Sequence, residues 1–161
     1  MAQSSNMFIK VKGIDDSGYG DVFAGKEKPI HSAKGWYPIV HWSWGATNQA
    51  KHIDTQTTSG GMADVHDVTI THYMDNAASG LATMCLSGKP VDLVELMCRN
   101  PLGEKYIYLK LEQCIVSGVN MGGSDEGGSE LQQTTHIHYN NLLIETSKGG
   151  KGSNQATWKK P

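Results

Sequence analysis

The chain has 161 residues, a formal charge of −2 and hydrophobic segments that are short and well separated. That length suits one domain, 1–161, with a proper hydrophobic core, and no segment nears the length of a membrane-spanning helix, which argues against membrane insertion. Basic and acidic residues are scattered, with only the tail SKGGKGSNQATWKKP mildly basic, so the basic patch that a nucleic-acid footprint needs is missing.

The start, MAQSSNMFIKVKG, lacks the charged-then-apolar layout of a secretory signal because MFI is too short an apolar core. The protein is therefore expected to begin in the cytoplasm. Within this start, Met7, Ile9 and Val11 alternate with Phe8, Lys10 and Lys12 at the period of a strand. The stretch WYPIVHWSWGATN (36–48) puts Trp36, Val40, Trp42 and Trp44 on one parity and Tyr37, Ile39, His41 and Ser43 on the other. It reads as one strand that crowds three of the four tryptophans onto a single face.

Further along, Val68, Ile70 and His72 alternate with Thr69, Thr71 and Tyr73. In MDNAASGLATMCLSGKP, Ser79 is expected as the N-cap of a helix, with Leu81, Met84 and Cys85 at helical spacing. Gly88 supplies a left-handed C-terminal residue and Pro90 bars continuation. At about two turns this helix must pack on a sheet to be stable. VDLVELMCR (91–99) is apolar on both parities, as a strand covered on both faces would be.

EKYIYLKLEQCIVSGV (104–119) sets Ile107, Leu109 and Leu111 against Tyr106, Tyr108 and Lys110, and its length predicts a bend near Gln113. In ELQQTTHIHYNNLLIETS the apolar parity shifts between Ile137 and Tyr139 on one side and Leu142 and Ile144 on the other, which predicts a β-bulge at Asn140–Asn141. Strands this long and bent suggest a barrel or a strongly curled sheet. The glycine-rich stretches TTSGGMAD, GVNMGGSDEGGSE and SKGGKGSN read as flexible loops.

The chemistry searched for is largely absent. His136 and His138, at i and i+2, share a strand face, but a zinc site wants three or four ligands, and neither HExxH nor CxxC completes one. Two polar residues on a wet face are the expectation, with no metal and no cofactor. GGKGS (149–153) and SGKP (87–90) are not P-loops, GYGDVFAG (18–25) is not a dinucleotide fingerprint, and GGSDEGGSE lacks EF-hand spacing. No GxSxG elbow appears, so no catalytic residue is assigned. Cys85, Cys98 and Cys114 are isolated and odd in number, which predicts reduced thiols acting as small hydrophobes.

Several stretches, in order, match one family. They are MFIKVKGI (7–14), GWYPIVHWSWGATN (35–48) with its SWG, VHDVTITHYMDNAASGLATMCLSGKPV (65–91), EKYIYLKLEQCIVSGV (104–119) and the terminal Trp158. Together they resemble the Hcp family, the haemolysin-coregulated proteins of bacterial type VI secretion systems. His72 stands where that family usually has lysine, Gly80 where it has proline, and Gly118 where it has the second serine of VSS; segment 15–36 is longer than usual.

The resemblance implies a mainly β fold: a compact two-sheet β-barrel with one short flanking helix, assembling into hexameric rings. It further implies rings stacked into the inner tube of a contractile machine, working with the spike, sheath and baseplate and expelled without a signal peptide. Secreted effector proteins would ride in the ring lumen. On this reading Trp42, Trp44, Leu81 and Cys85 pack the core. Ser43 and His41 are candidates to line the lumen, and Gly60, Gly61, Met121, Gly122, Gly123, Asp125 and Glu126 are candidates for ring stacking. The alternative is a monomeric barrel binding a small ligand, with the tryptophan-rich strand lining its pocket.

Overall fold

The structure, a computed structural model, describes residues 6–14, 35–52, 58–100, 105–125, 131–148 and 153–161. In chain order its elements are β1 (Met7–Val11), β2 (Tyr37–Pro38), β3 (His41–Ser43), β4 (Ala46–His52), β5 (Thr58–Val65), β6 (Val68–Tyr73), α1 (Asn76–Ser87), β7 (Val91–Arg99), β8 (Lys105–Gly122), β9 (Gln132–His138), β10 (Asn141–Lys148) and β11 (Ser153–Lys159). Nine strands share one antiparallel hydrogen-bonded path, β2-β1-β7-β8-β9-β6-β3, with β10 paired to β8 and β11 to β10. The other two, β4 and β5, pair only with each other.

Apolar residues of one parity from β1, β6, β7, β8 and β9 converge inside this path. Ile9, Ile70, Leu96, Leu109, Leu111 and Ile137 are each at most 1% exposed. β7 shows the two-faced burial its sequence predicts, with Val94, Glu95, Leu96 and Met97 buried in succession. Its outward residue Met97 joins Phe8, Trp36 and Tyr108 in a second cluster on the other side of the sheet.

The segment 36–48 is not one strand. β2 pairs with β1 and β3 pairs with β6, and the chain crosses between them at Ile39 and Val40. There the Ile39 N–H donates to Met7 O at 2.9 Å and the Val40 N–H donates to Thr71 O at 2.8 Å. This short crossing closes the circuit of strands. It also breaks the parity: Tyr37 and Ile39 enter the main core, Val40 is exposed, and Trp42 and Trp44 pack against that same core from the next strand. Trp36 therefore lies in the second cluster, away from the other two tryptophans.

The second departure from regular geometry is a corner in β8. Gln113 has φ 54°, the left-handed region that a side chain enters only under local constraint. Before the corner β8 pairs with β10 (Asn141↔Glu112), and beyond it with β9 (Ile115↔His138). The partner strand breaks opposite, at Tyr139–Asn140, where the Asn140 N–H donates to Glu112 O at 3.2 Å. The bend near Gln113 is thus present, whereas the bulge expected at Asn140–Asn141 is a gap between β9 and β10. The parity shift arises because both strands turn the corner together. Between β8 and β9 the register shifts at Val116–Gly118 instead.

The helix starts earlier than Ser79. Asp75 is the N-cap, its Oδ1 accepting from the Ala78 N–H at 3.0 Å, so α1 has 12 residues. Asp75 wins because its other oxygen, Oδ2, also lies 3.2 Å from Nδ1 of His72, which is 1% exposed. Gly88 ends the helix with φ 64°, as its sequence position predicts. Gly80 consequently sits in the second turn and not at the helix end. A Cβ there would lie 3.1 Å from Cγ1 of Ile14, so the missing side chain lets Ile14 pack onto the helix.

Candidate binding face and assembly arm

Residues paired directly across an antiparallel ladder project to the same side of the sheet. Two such rows cross β3, β6, β9 and the far half of β8. One runs Ser43, Thr69, His136, Gly118 and the other His41, Thr71, Thr134, Asn120. The intervening residues, such as Ile70, Thr135 and Ile137, face the core and are fully buried. The sheet thus has one dry side and one polar side, and the polar rows hold neither lysine nor arginine among the described residues.

The polar side is internally knitted. Thr69 Oγ1 and His136 Nδ1 share a hydrogen bond of 2.9 Å, and Thr71 Oγ1 and Thr134 Oγ1 share one of 3.1 Å. Gly118 explains its own departure from the family pattern, since a Cβ there would stand 3.1 Å from Cδ2 of His136. The glycine makes room for the imidazole.

At one margin of this face, Asp67 accepts from Ser117 Oγ at 2.7 Å and from His138 Nδ1 at 2.9 Å. Burial pushes the Asp67 carboxyl upward, but these two hydrogen bonds and the charges of His138 and His136 outweigh it and hold the group below its ordinary range. A carboxylate with a depressed folded pKa stabilises the fold above its unfolded value, 3.8, and loses that contribution as pH falls through the folded value. The melting temperature is therefore expected to drop more steeply below about pH 4 in the native chain than in Asp67→Asn. Thermal scans of the two proteins from about pH 5 to about pH 3 check this.

His41 and Ser43 are both exposed on β3, the last strand of the path, and lie within the two polar rows. Leu81 is fully buried, while Trp42, Trp44 and Cys85 are half-buried against the main core. Trp44 Nε1 donates to the Tyr139 hydroxyl, which donates in turn to His66 O at 2.8 Å. Trp158 meets the Tyr139 ring edge-on at 5.8 Å. Tyr139 therefore ties the terminal strand to the tryptophan segment at the corner, a role that its sequence context gave no hint of.

The stacking candidates fall differently from expectation. Gly60 and Gly61 do not lie in a loop: TTSGGMAD is nearly all β5, which pairs with β4 from Ala46↔Val65 to His52↔Thr58. Backbone pairing without side-chain packing suits glycine-rich sequence, which explains why periodicity missed it. Asn48 helps to hold this hairpin by donating from Nδ2 to Gly61 O at 2.8 Å. Met121 and Gly122 are likewise strand, at the end of β8. Gly123 and Asp125 follow it and are exposed, while Glu126 lies outside the described residues, as do residues 15–34 of the long segment 15–36.

The hairpin is rooted at Gly45 and His66, whose backbone groups bond at 3.0 Å, beside the start of β6. Its described side chains from Ala46 to Gln49 and from Gly60 to Asp64 are all exposed. At the other end of β6 the exposed large apolar residues Tyr73, Met74, Leu131 and Met121 stand at neighbouring strand ends, Tyr73 and Met121 on opposite sides of the sheet, with the Met74 N–H donating to Leu131 O at 3.0 Å. Sequence inspection overlooked this apolar end because its members come from three separate strand termini.

A family model described as "Type VI secretion system effector, Hcp" matches residues 8–145. The chain belongs to the Hcp family of type VI secretion proteins. It is 28% identical over 143 residues to Protein hcp1 of Pseudomonas aeruginosa, covering 87% of this chain and 80% of that protein. Among solved structures it is similar to a type VI secretion system effector from Yersinia pestis, with TM-score 0.69 and 22% identity over 95% of this chain and 98% of that one. It is also similar to Hcp1 from Salmonella typhimurium, with TM-score 0.66 and 22% identity over 95% and 92% of the two chains. These likenesses carry the fold, a two-sheet β-barrel with one flanking helix. No helix among the described residues is long and apolar enough to cross a membrane.

Proposed function

We propose that this Hcp protein is a structural subunit of the type VI inner tube, a hexameric ring that stacks on further rings and carries effectors in its lumen. The observation that carries the reading is the uncovered hairpin of β4 and β5. A lone two-stranded hairpin is at best marginal in water, so an arm of this length gains its stability from a neighbouring surface. The arm leaves one end of β6 and the exposed apolar residues mark the other. That is the polarity a head-to-tail contact between copies requires.

The polar rows containing His41 and Ser43 suit the wall of a water-filled lumen, since their opposite side is sealed against the core. Trp42 and Trp44 rest on a core filled by Val68, Ile70 and Ile137. Their placement favours packing over the pocket of a small-ligand barrel. In this role the chain acts without a catalytic centre, its partners being further copies of itself, the spike, sheath and baseplate, and the secreted effectors it escorts from the cytoplasm out through the machine.

The test is the solution mass of the purified protein by light scattering after size exclusion. A mass near six chains is expected, and a monomer at high concentration would remove the tube mechanism as an intrinsic property. Deleting residues 122–128 is expected to leave rings but abolish stacked tubes. Tubes that survive this deletion would exclude that segment from the stacking contact.

A further inference from the structure

We infer that His136 and His138 on β9 form a binding site for a borderline first-row dication, Zn²⁺ or Cu²⁺. One chain suffices for it, whether or not the ring forms. The two histidines flank Ile137, which faces the core and is 0% exposed, so both imidazoles project to the opposite, polar side of the sheet. Their backbones stand about 6.8 Å apart, a span that two rings can close onto one ion with Nε2–metal bonds of about 2.0–2.1 Å. His138 Nδ1 lies 2.9 Å from Oδ1 of Asp67. A carboxylate only accepts, so this ring donates from Nδ1, and the neutral imidazole keeps its lone pair on Nε2. Thr69 Oγ1 holds His136 at Nδ1, also at 2.9 Å, and as the acceptor leaves the Nε2 of that ring free in the same way. Neither Nε2 has a hydrogen-bond partner among the described residues.

A pair of histidines at i and i+2 is common on a wet strand; outer support for both rings is what a ligand pair needs besides. Asp67 gives His138 the carboxylate partner typical of a metal-bound imidazole, and Ser117 Oγ orients that carboxylate in turn by donating to Oδ2 at 2.7 Å. Gly118 leaves space beside Cδ2 of His136, the ring carbon bonded to Nε2, which is where an ion would sit. Charge favours a cation as well. Asp67 is held below its ordinary range and stays ionised, and the polar rows carry no lysine or arginine among the described residues. No set of three or more His, Cys, Asp or Glu that could hold a metal stands together among the described residues, so water fills the remaining positions and the ion is exchangeable. Imidazole donors select Zn²⁺ and Cu²⁺ over Mg²⁺ and Ca²⁺, which take oxygen ligands.

The experiment titrates Zn²⁺ alone into the untagged full chain at about pH 7.5, where imidazoles are largely neutral, by calorimetry and by NMR of the histidine ring nitrogens. One ion per chain is expected, with the Nε2 signals of His136 and His138 shifting together and that of His41 unmoved. Asp67→Asn keeps both ligands but gives His138 a neutral acceptor, and is expected to bind about ten-fold to a hundred-fold more weakly. The double variant His136→Gln, His138→Gln is expected to lose more than that, and His41→Gln to lose nothing. Mg²⁺ is expected to leave the Nε2 signals in place. A double variant that keeps its affinity, a shift at only one of the two rings, or an equal response to Mg²⁺ would overturn the inference. So would Zn²⁺ uptake seen only as chains associate, because the ion would then bridge copies. Light scattering on the same samples keeps the ring reading separate. A monomer that binds Zn²⁺ at both rings refutes the ring and keeps the site, whereas a ring that binds none refutes the site and keeps the ring.

Discussion

Trp36→Ala is expected to destabilise the chain by about 3–5 kcal/mol, the range for deleting a fully buried aromatic side chain. Trp36 is 0% exposed and packs with Phe8, Met97 and Tyr108 on the outer side of the sheet. Trp42 and Trp44 are only half-buried, so their alanine variants lose less contact and are expected to fall below that range. The ordering is the informative part. If all three tryptophans shared one face of one strand, the central ones would dominate; the crossing at Ile39 and Val40 makes Trp36 the costliest. Urea unfolding of the three variants, compared at equal slope, decides it.

Asp75→Ala ranks next, at about 2–3 kcal/mol, because two separate losses fall on one side chain. The helix loses its N-cap acceptor, and His72 loses the Oδ2 contact to its Nδ1. The imidazole cannot recover this from solvent, being 1% exposed, and its Nε2 already lacks a partner among the described residues. Only the Tyr73 carbonyl, 3.1 Å from Nδ1, then holds the ring. Asp75→Asn keeps a capping oxygen and is expected to lose roughly half as much. Amide exchange at Ala78 separates the contributions, since only the alanine variant loses the side-chain acceptor and leaves that N–H with its 3.2 Å bond to Asp75 O alone.

Much of the fold is legible in the periodicity. β1, β6, β7 and the first half of β8 bury the residues that their sequences mark, because each lies against the core. The failure at 36–48 originates in residues whose partners lie on opposite ends of one strand path. Tyr37 and Ser43 are six positions apart in sequence yet pair with β1 and β6, so no single parity describes them. Ser79 looked like a cap because the stronger candidate, Asp75, shows its advantage only once His72 is beneath it. The glycine-rich arm shows no apolar alternation, in keeping with the exposure of its described side chains. The polar face was half visible: Thr69 and Thr71 of VTITHY and Thr134 of QQTTHIH mark a wet side, while Thr135 is buried, and their alignment into rows with His41, Ser43 and Asn120 is a matter of register.

The crossing between β2 and β3 also governs how the chain reaches this state. β1 finds β7 only after most of the chain's first hundred residues, and β6 finds β9 across the helix and two further strands. Hairpins such as β7–β8 and β10–β11 close quickly, whereas these distant pairings must pay loop-closure entropy before any contact rewards them. Folding should accordingly be slow for the size, on the order of milliseconds to seconds. The capture of residues 37–43 between β1 and β6 is the natural final step, because it needs both strands already in place. Until then the edges of β1 and β6 stay open to strands from other chains. On its way to the native state the chain thus passes through a form whose exposed edges invite the wrong association, a hazard that the proposed role as a self-assembling tube subunit would sharpen.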